Sequence, residues 1–187
     1  PLVAGRAVAV AWLIALTMNV FVWAHHLYMN YPQGNTTQET LGTIMQPTTY
    51  TLVLPSALSL FSIAATIYKS NFQWTTASKF LIAGILGWLV AGLQGIINAT
   101  AAFQDTLHNT LWIVGHFHNM AFLNMGLCIF GAMYAFLPEL TGRFRFNERL
   151  GSWHLWGTVI GGYGWVVCQM MQGLDGVTLS SAYPQAN

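Results

Sequence analysis

Five apolar runs constrain this chain more than any other feature, each close to the roughly 20 residues a helix needs to cross a bilayer. They lie at Leu2–Trp23, Thr43–Tyr68, Phe80–Ala99, Thr110–Leu137 and Trp153–Met171. Short polar stretches with turn residues separate them: Tyr31-Pro32-Gln33-Gly34-Asn35, Ser70-Asn71-Phe72, Asn98 to Asn109, and Pro138 to Gly151. Backbone in hydrocarbon must satisfy its own N–H and C=O groups, so the expected fold is all-α, a polytopic transmembrane helix bundle forming one membrane domain over residues 1–187. Pro47 and Pro55 in the second run are compatible with that reading, because membrane helices tolerate proline kinks. Charge agrees: 6% of residues are charged, against about 25% in soluble domains. Mean hydropathy is +0.50. A net charge of +1 with no basic face gives no reason to expect nucleic acid as a partner. Cys128 and Cys168 fall in separate apolar runs without a CxxC pattern and read as small buried side chains. The sequence opens on Pro1 without a charged leader and reads as part of a longer polypeptide.

The few charges orient the bundle. Arg6, Lys69, Lys79, Arg143, Arg145 and Arg149 are the whole basic set, and they fall on alternate connections; the intervening ones carry only Glu39, Asp105 and Asp175. The positive-inside rule puts the basic side at the cytoplasm or its equivalent. His25 and His26, closing the first run, then share the outer level with His108, His116 and His118, which open the fourth. His154, between Trp153 and Trp156 at the inner end of the fifth run, reads as an interfacial residue without a cofactor role. Trp88, Trp112 and Trp165 read as anchors or core.

An imidazole inside a membrane-length run is a functional candidate, because an unpaired polar group there is expensive. A single one often serves only as an interhelical hydrogen-bond partner. Two histidine pairs at one depth favour a cofactor. His116 and His118 are two positions apart, about 200° around a helix, so they do not readily share one metal. They suit two cofactors flanking one helix, and haem iron commonly takes axial histidine. Phe117 stands between them in sequence, and Gly115 is expected to admit a bulky planar group. The adjacent His25 and His26 can converge on one metal where the helix ends toward Asn30-Tyr31-Pro32, with a third ligand from elsewhere.

Val22-Trp23-Ala24-His25-His26 and Val114-Gly115-His116-Phe117-His118 resemble the two signature stretches of haem–copper oxidase subunit I. Pro47 to Lys69, Leu107-His108-Asn109-Thr110 and Phe136-Leu137-Pro138…Thr141-Gly142 are similar to their counterparts. The resemblance covers nearly the whole chain and implies that the five runs are the seventh to eleventh of the family's twelve helices. It makes His25 and His26 two of three ligands of the active-site copper, His116 the proximal ligand of the high-spin haem and His118 an axial ligand of the low-spin haem. Phe117 would stand between the haems, with His108 and Asn109 near their propionates. His108-Asn109, where A-type members have His-Asp, and Ser56 and Ser59, near the place of the A-type channel lysine, resemble the B-type branch; no magnesium is expected, and the hydroxyls would relay protons. Trp23-Ala24 is more A-like.

The resemblance also implies parts that these residues do not supply. A His-Pro-Glu-Val-Tyr-type stretch, with the third copper ligand, would precede Pro1, as would the second axial histidine of the low-spin haem. Gln104 stands where the family has an acidic residue, and Val177-Thr178-Leu179-Ser180-Ser181 has no arginine pair. The implied activity is reduction of O2 to water with proton uptake and translocation. Implied partners are cytochrome c or quinol as donor, oxidase subunit II and other membrane subunits, and the lipid bilayer, in a prokaryotic plasma membrane. The alternatives are a nitric oxide reductase of the same superfamily, a bis-histidine membrane cytochrome b, and a non-redox transporter or assembly protein.

Overall fold

Residues 2–22, 44, 46–142 and 146–178 are described by the computed structural model of the chain. Helix α1 (Gly5–Val22) occupies the first apolar run, α2 (Val53–Tyr68) the second and α3 (Thr76–Ala99) the third. A short helix, α4 (Ala101–Leu107), precedes α5 (Leu111–His118). A π-helical segment, Asn119–Gly126, then leads into α6 (Leu127–Thr141), and α7 (Glu148–Leu174) ends the described chain. No β-strand occurs among the described residues; Thr110 and Thr178 form one isolated antiparallel bridge. The all-α membrane-helix expectation holds.

Among the described residues, four segments are long and apolar enough to cross a membrane: Gly5–Val22, Gln46–Tyr68, Thr76–Ala99 and Leu111–Thr141. The expected fifth is α7, whose 27 residues reach about 40 Å. It is less apolar because of its glycines, Gln169 and Gln172. Its buried residues show what those small side chains are for: Gly151, Leu155, Gly162, Val166, Gln169, Met170 and Gly173 recur at helical spacing along one face. Small residues on such a face let membrane helices approach closely.

The fourth run departs from expectation in two places. It contains the π-segment, so the 100° step per residue stops applying after His118. It also continues through Pro138 to Thr141 and ends at Gly142 (φ 61°), rather than leaving the span at Leu137-Pro138. Membrane helices re-satisfy the backbone groups that a proline frees.

The chain divides into two compact units, residues 1–72 with 92–108 and residues 73–91 with 109–187. In the first, α1 and α2 pack together. Val3 N donates to Thr66 Oγ1 (2.8 Å), and the Ser62 hydroxyl donates to the Val3 carbonyl. Tyr50 and Thr100 share a hydroxyl–hydroxyl bond of 2.6 Å.

In the second unit, Phe80, Leu123, Leu127, Leu155, Val166 and Met170 form the buried core. Glu148 ties the start of α7 to the start of α3: its Oε2 accepts from Thr76 N (2.9 Å) and Thr76 Oγ1 (2.6 Å). Asn147 caps α7 by accepting from Arg149 N and Leu150 N. Glu148→Ala would leave the buried Thr76 without this acceptor, and is expected to cost about 1–3 kcal/mol. Thermal unfolding in detergent reads it, with Glu148→Gln retaining part of the loss.

His154 is more enclosed than an interfacial residue. Its ring lies 4.9 Å from Phe80 and 4.7 Å from Phe130, and its Nδ1 is 3.1 Å from Tyr134 Oη. Cys168, expected to be buried, is exposed, while Cys128 is half-buried; both are free thiols.

Candidate functional site

Helix α5 carries the His-Phe-His stretch, and local chemistry fixes where it starts. Asn109 adopts φ +63°, a left-handed conformation that asparagine tolerates better than most residues. Thr110 then caps the helix by accepting from Trp112 N (3.3 Å), and Leu111 N donates to Val177 O (3.0 Å). The last of these bonds, with the Thr110–Thr178 bridge, ties the start of α5 to the chain just beyond α7.

Two glycines let α5 lie directly on α7. A Cβ at Gly115 would fall 2.5 Å from Met170 Cγ and 3.2 Å from Val166 O, and one at Gly173 would overlap the Trp112 backbone. The expectation for Gly115 is therefore corrected. The space beside it is filled by α7, so its missing side chain serves helix packing and not the approach of a planar group.

That packing sets the surroundings of His118. Its Nδ1 lies 2.9 Å from Gln169 Oε1, and the Trp165 ring is 4.1 Å from the imidazole at a 35° tilt. Phe117 meets His118 edge-on at 5.6 Å. An amide oxygen can only accept, so Nδ1 is the donor of this bond, which in a neutral imidazole leaves the Nε2 lone pair open. Nε2 makes no hydrogen bond among the described residues. His116 is half-buried, and Phe117 is 61% exposed. The donor set of His118 suits an axial haem ligand: one nitrogen held by the protein and the other available to iron.

The remaining candidates lie elsewhere. His25 and His26 are outside the described residues. His108 follows α4 in the first unit, its N–H bonded to Gln104 O (2.9 Å), whereas Asn109 belongs to the second. No group of three metal-capable side chains occurs among the described residues. Ser59 is buried and donates to Pro55 O (2.8 Å); Ser56 is half-buried. Ser62 and Thr66 continue their face of α2 at helical spacing, and sequence reading missed both. The hydroxyls of Ser59, Ser62 and Thr66 all donate to backbone carbonyls.

Gln169 escaped sequence reading as well, whereas Gln104 entered it only as the residue standing where the family has an acidic one. Gln169 is separated from His118 by 51 positions, so only packing reveals the pair. Gln104 is fully buried, with neither amide atom hydrogen-bonded among the described residues. An unsatisfied buried amide costs about 1–3 kcal/mol, so Gln104→Leu is expected to stabilise the chain by about that amount, read as a rise in Tm. A fall in Tm would mean that the amide holds a group bound in the assembled complex.

Fold and donor set together define an integral membrane helix bundle with a His-Phe-His helix packed on a glycine-lined neighbour. The chain belongs to the cytochrome c and quinol oxidase polypeptide I family, whose model matches residues 1–187. It is 30% identical over 161 residues to cytochrome c oxidase subunit 1 of Synechocystis, covering 86% of this chain and 28% of that one. It is 29% identical over 181 residues to a probable cytochrome c oxidase subunit 1-beta of Nocardia farcinica (95% and 29% covered). A quinol oxidase subunit 1 of Bacillus spizizenii is 28% identical over 158 residues (84% and 23% covered). The chain thus spans less than a third of the length of these curated relatives. A cryo-EM structure of a heme-copper terminal oxidase dimer shares the fold, with TM-score 0.57 and 22% identity over 83% of this chain and 30% of that chain.

Proposed function

We propose that this chain forms the haem-binding part of the catalytic subunit of a respiratory terminal oxidase, reducing O2 to water with cytochrome c or quinol as donor. The observation that carries the reading is the state of His118, a membrane imidazole with Nδ1 tied to Gln169 and Nε2 unspent. Family membership supplies the context. His118 would hold the low-spin haem and His116 the high-spin haem, on sides of α5 about 200° apart. His25 and His26 would hold copper. When bound, these groups supply the redox chemistry that takes O2 to water.

The chain's own residues would position and insulate that chemistry. Packing on α7 sets the His118 ring beside Trp165 and Gln169, which would hold the ring in one orientation toward the group it binds. Phe117, flanked by the two histidines, presents an apolar ring that would exclude water from the space between the haems. His108 and Asn109 would lie near the propionates. Ser56 and Ser59 would accept and pass protons through ordered water taken up from the inner side, Ser59 using the lone pairs that its donated bond to Pro55 O leaves open. Subunit II, further membrane subunits and a prokaryotic plasma membrane complete the proposal, with a B-type channel pattern and the seventh-to-eleventh placement of the helices.

The test is oxygen consumption and metal content of the purified membrane complex that contains this chain. Cyanide-sensitive O2 uptake with both iron and copper supports the oxidase reading. Iron without copper, with nitric oxide consumption, would replace it with the nitric oxide reductase reading.

A further inference from the structure

Gln169 has no place in the sequence pattern of the site, yet it is the residue that meets His118. It lies on the buried face of α7, between Val166 and Gly173, and is 8% exposed. A glutamine amide buried in a membrane bundle needs a partner. Its Oε1 has one at 2.9 Å, the Nδ1 of His118 on the neighbouring helix. Close approach of the two helices at Gly115 and Gly173 makes that reach possible. Trp165, one turn earlier on α7, covers the imidazole at 4.1 Å. Two residues of one helix thus meet one histidine, one at its ring face and the other at Nδ1.

We propose that Gln169 is the positioning residue for His118: by accepting the Nδ1 proton, it directs Nε2 to the low-spin haem iron and sets the electron donation of that ligand. The inference rests on the assignment of His118 as an axial ligand. A hydrogen bond from the non-ligating nitrogen of a histidine fixes ring orientation and raises ligand basicity, and axial-ligand hydrogen bonding is a lever on haem potential. A stronger acceptor at Gln169 makes the imidazole a better donor and favours ferric iron. Removal of the acceptor has the opposite effect. A glutamine that only glued two helices together would affect stability and leave the haem unchanged.

The experiment is redox titration and EPR of the low-spin haem in the purified complex, comparing wild type with Gln169→Leu and Gln169→Glu. Leu is expected to raise the low-spin midpoint potential and broaden the low-spin g values as the ring loses its restraint. Glu keeps an acceptor, so it is expected to retain narrow g values and lower the midpoint. Leu carries no charge, so its shift cannot be a charge effect. If Leu fails to assemble, Gln169→Met, equally uncharged and without an acceptor oxygen, takes its place. Wild-type midpoint and g values in every variant that assembles, whatever stability is lost, would overturn the assignment of Gln169. A wild-type complex with no low-spin haem would instead overturn the function proposed above, and this inference with it.

Discussion

His118→Ala is expected to remove the low-spin haem signal from the assembled complex while leaving the carbon monoxide-binding haem in place. Turnover should fall to about 1% of wild type or less, equivalent to about 2.7 kcal/mol or more of lost transition-state stabilisation. His116→Ala is expected to give the reverse pattern, with loss of carbon monoxide binding and retention of the low-spin spectrum. The physical basis is the placement of the two imidazoles. Both sit on α5, about 200° apart, and His118 is gripped by the Gln169 and Trp165 side chains of α7. Two sites on two sides of one helix should be lost separately. Simultaneous loss of both signals from either variant, in a complex that still assembles, would contradict that division.

Gly173→Val is expected to have the largest effect on stability. A Cβ there would overlap the backbone of Trp112, and backbone cannot move aside as a flexible side chain can. Overpacking of this kind costs about 1–3 kcal/mol and sometimes more, and here the upper end is expected because α5 must separate from α7. The His118–Gln169 bond would be lost with that separation. Gly157→Ala is the control: a Cβ at Gly157 meets nothing within 4 Å, so its effect should stay within about 0.5 kcal/mol. Abundance of the subunit in membranes and its thermal unfolding in detergent would separate the two variants.

The membrane helices were legible because hydrocarbon imposes a simple requirement: roughly 20 apolar residues with internally satisfied backbone. The start of the His-Phe-His helix was also marked locally, by Thr110 as cap and by Asn109 as a residue tolerant of positive φ. What could not be read depends on neighbours distant in sequence. Gly115 looked like room for a planar group, whereas α7 occupies that room through Met170 and Val166. The π-segment Asn119–Gly126 changes which side chains face the core, and its residues carry no local signal that distinguishes them from α-helix. Gln169 carries no signal in the sequence for its part in the site, because only packing sets it against His118, 51 positions away. His154 likewise looked interfacial beside its tryptophans, although Phe80, Phe130 and Tyr134 surround its ring. Helix existence is a property of each segment; site construction is a property of pairs.

Optical spectroscopy with metal analysis of the purified complex tests the central claim most directly. The reduced complex should show one low-spin haem that ignores carbon monoxide and one haem whose spectrum shifts when carbon monoxide binds. Metal analysis should give two irons to one copper at the haem–copper centre, after any copper carried by other subunits is subtracted. A complex with only low-spin haem and no response to carbon monoxide would contradict the claim and identify the chain as part of an electron carrier.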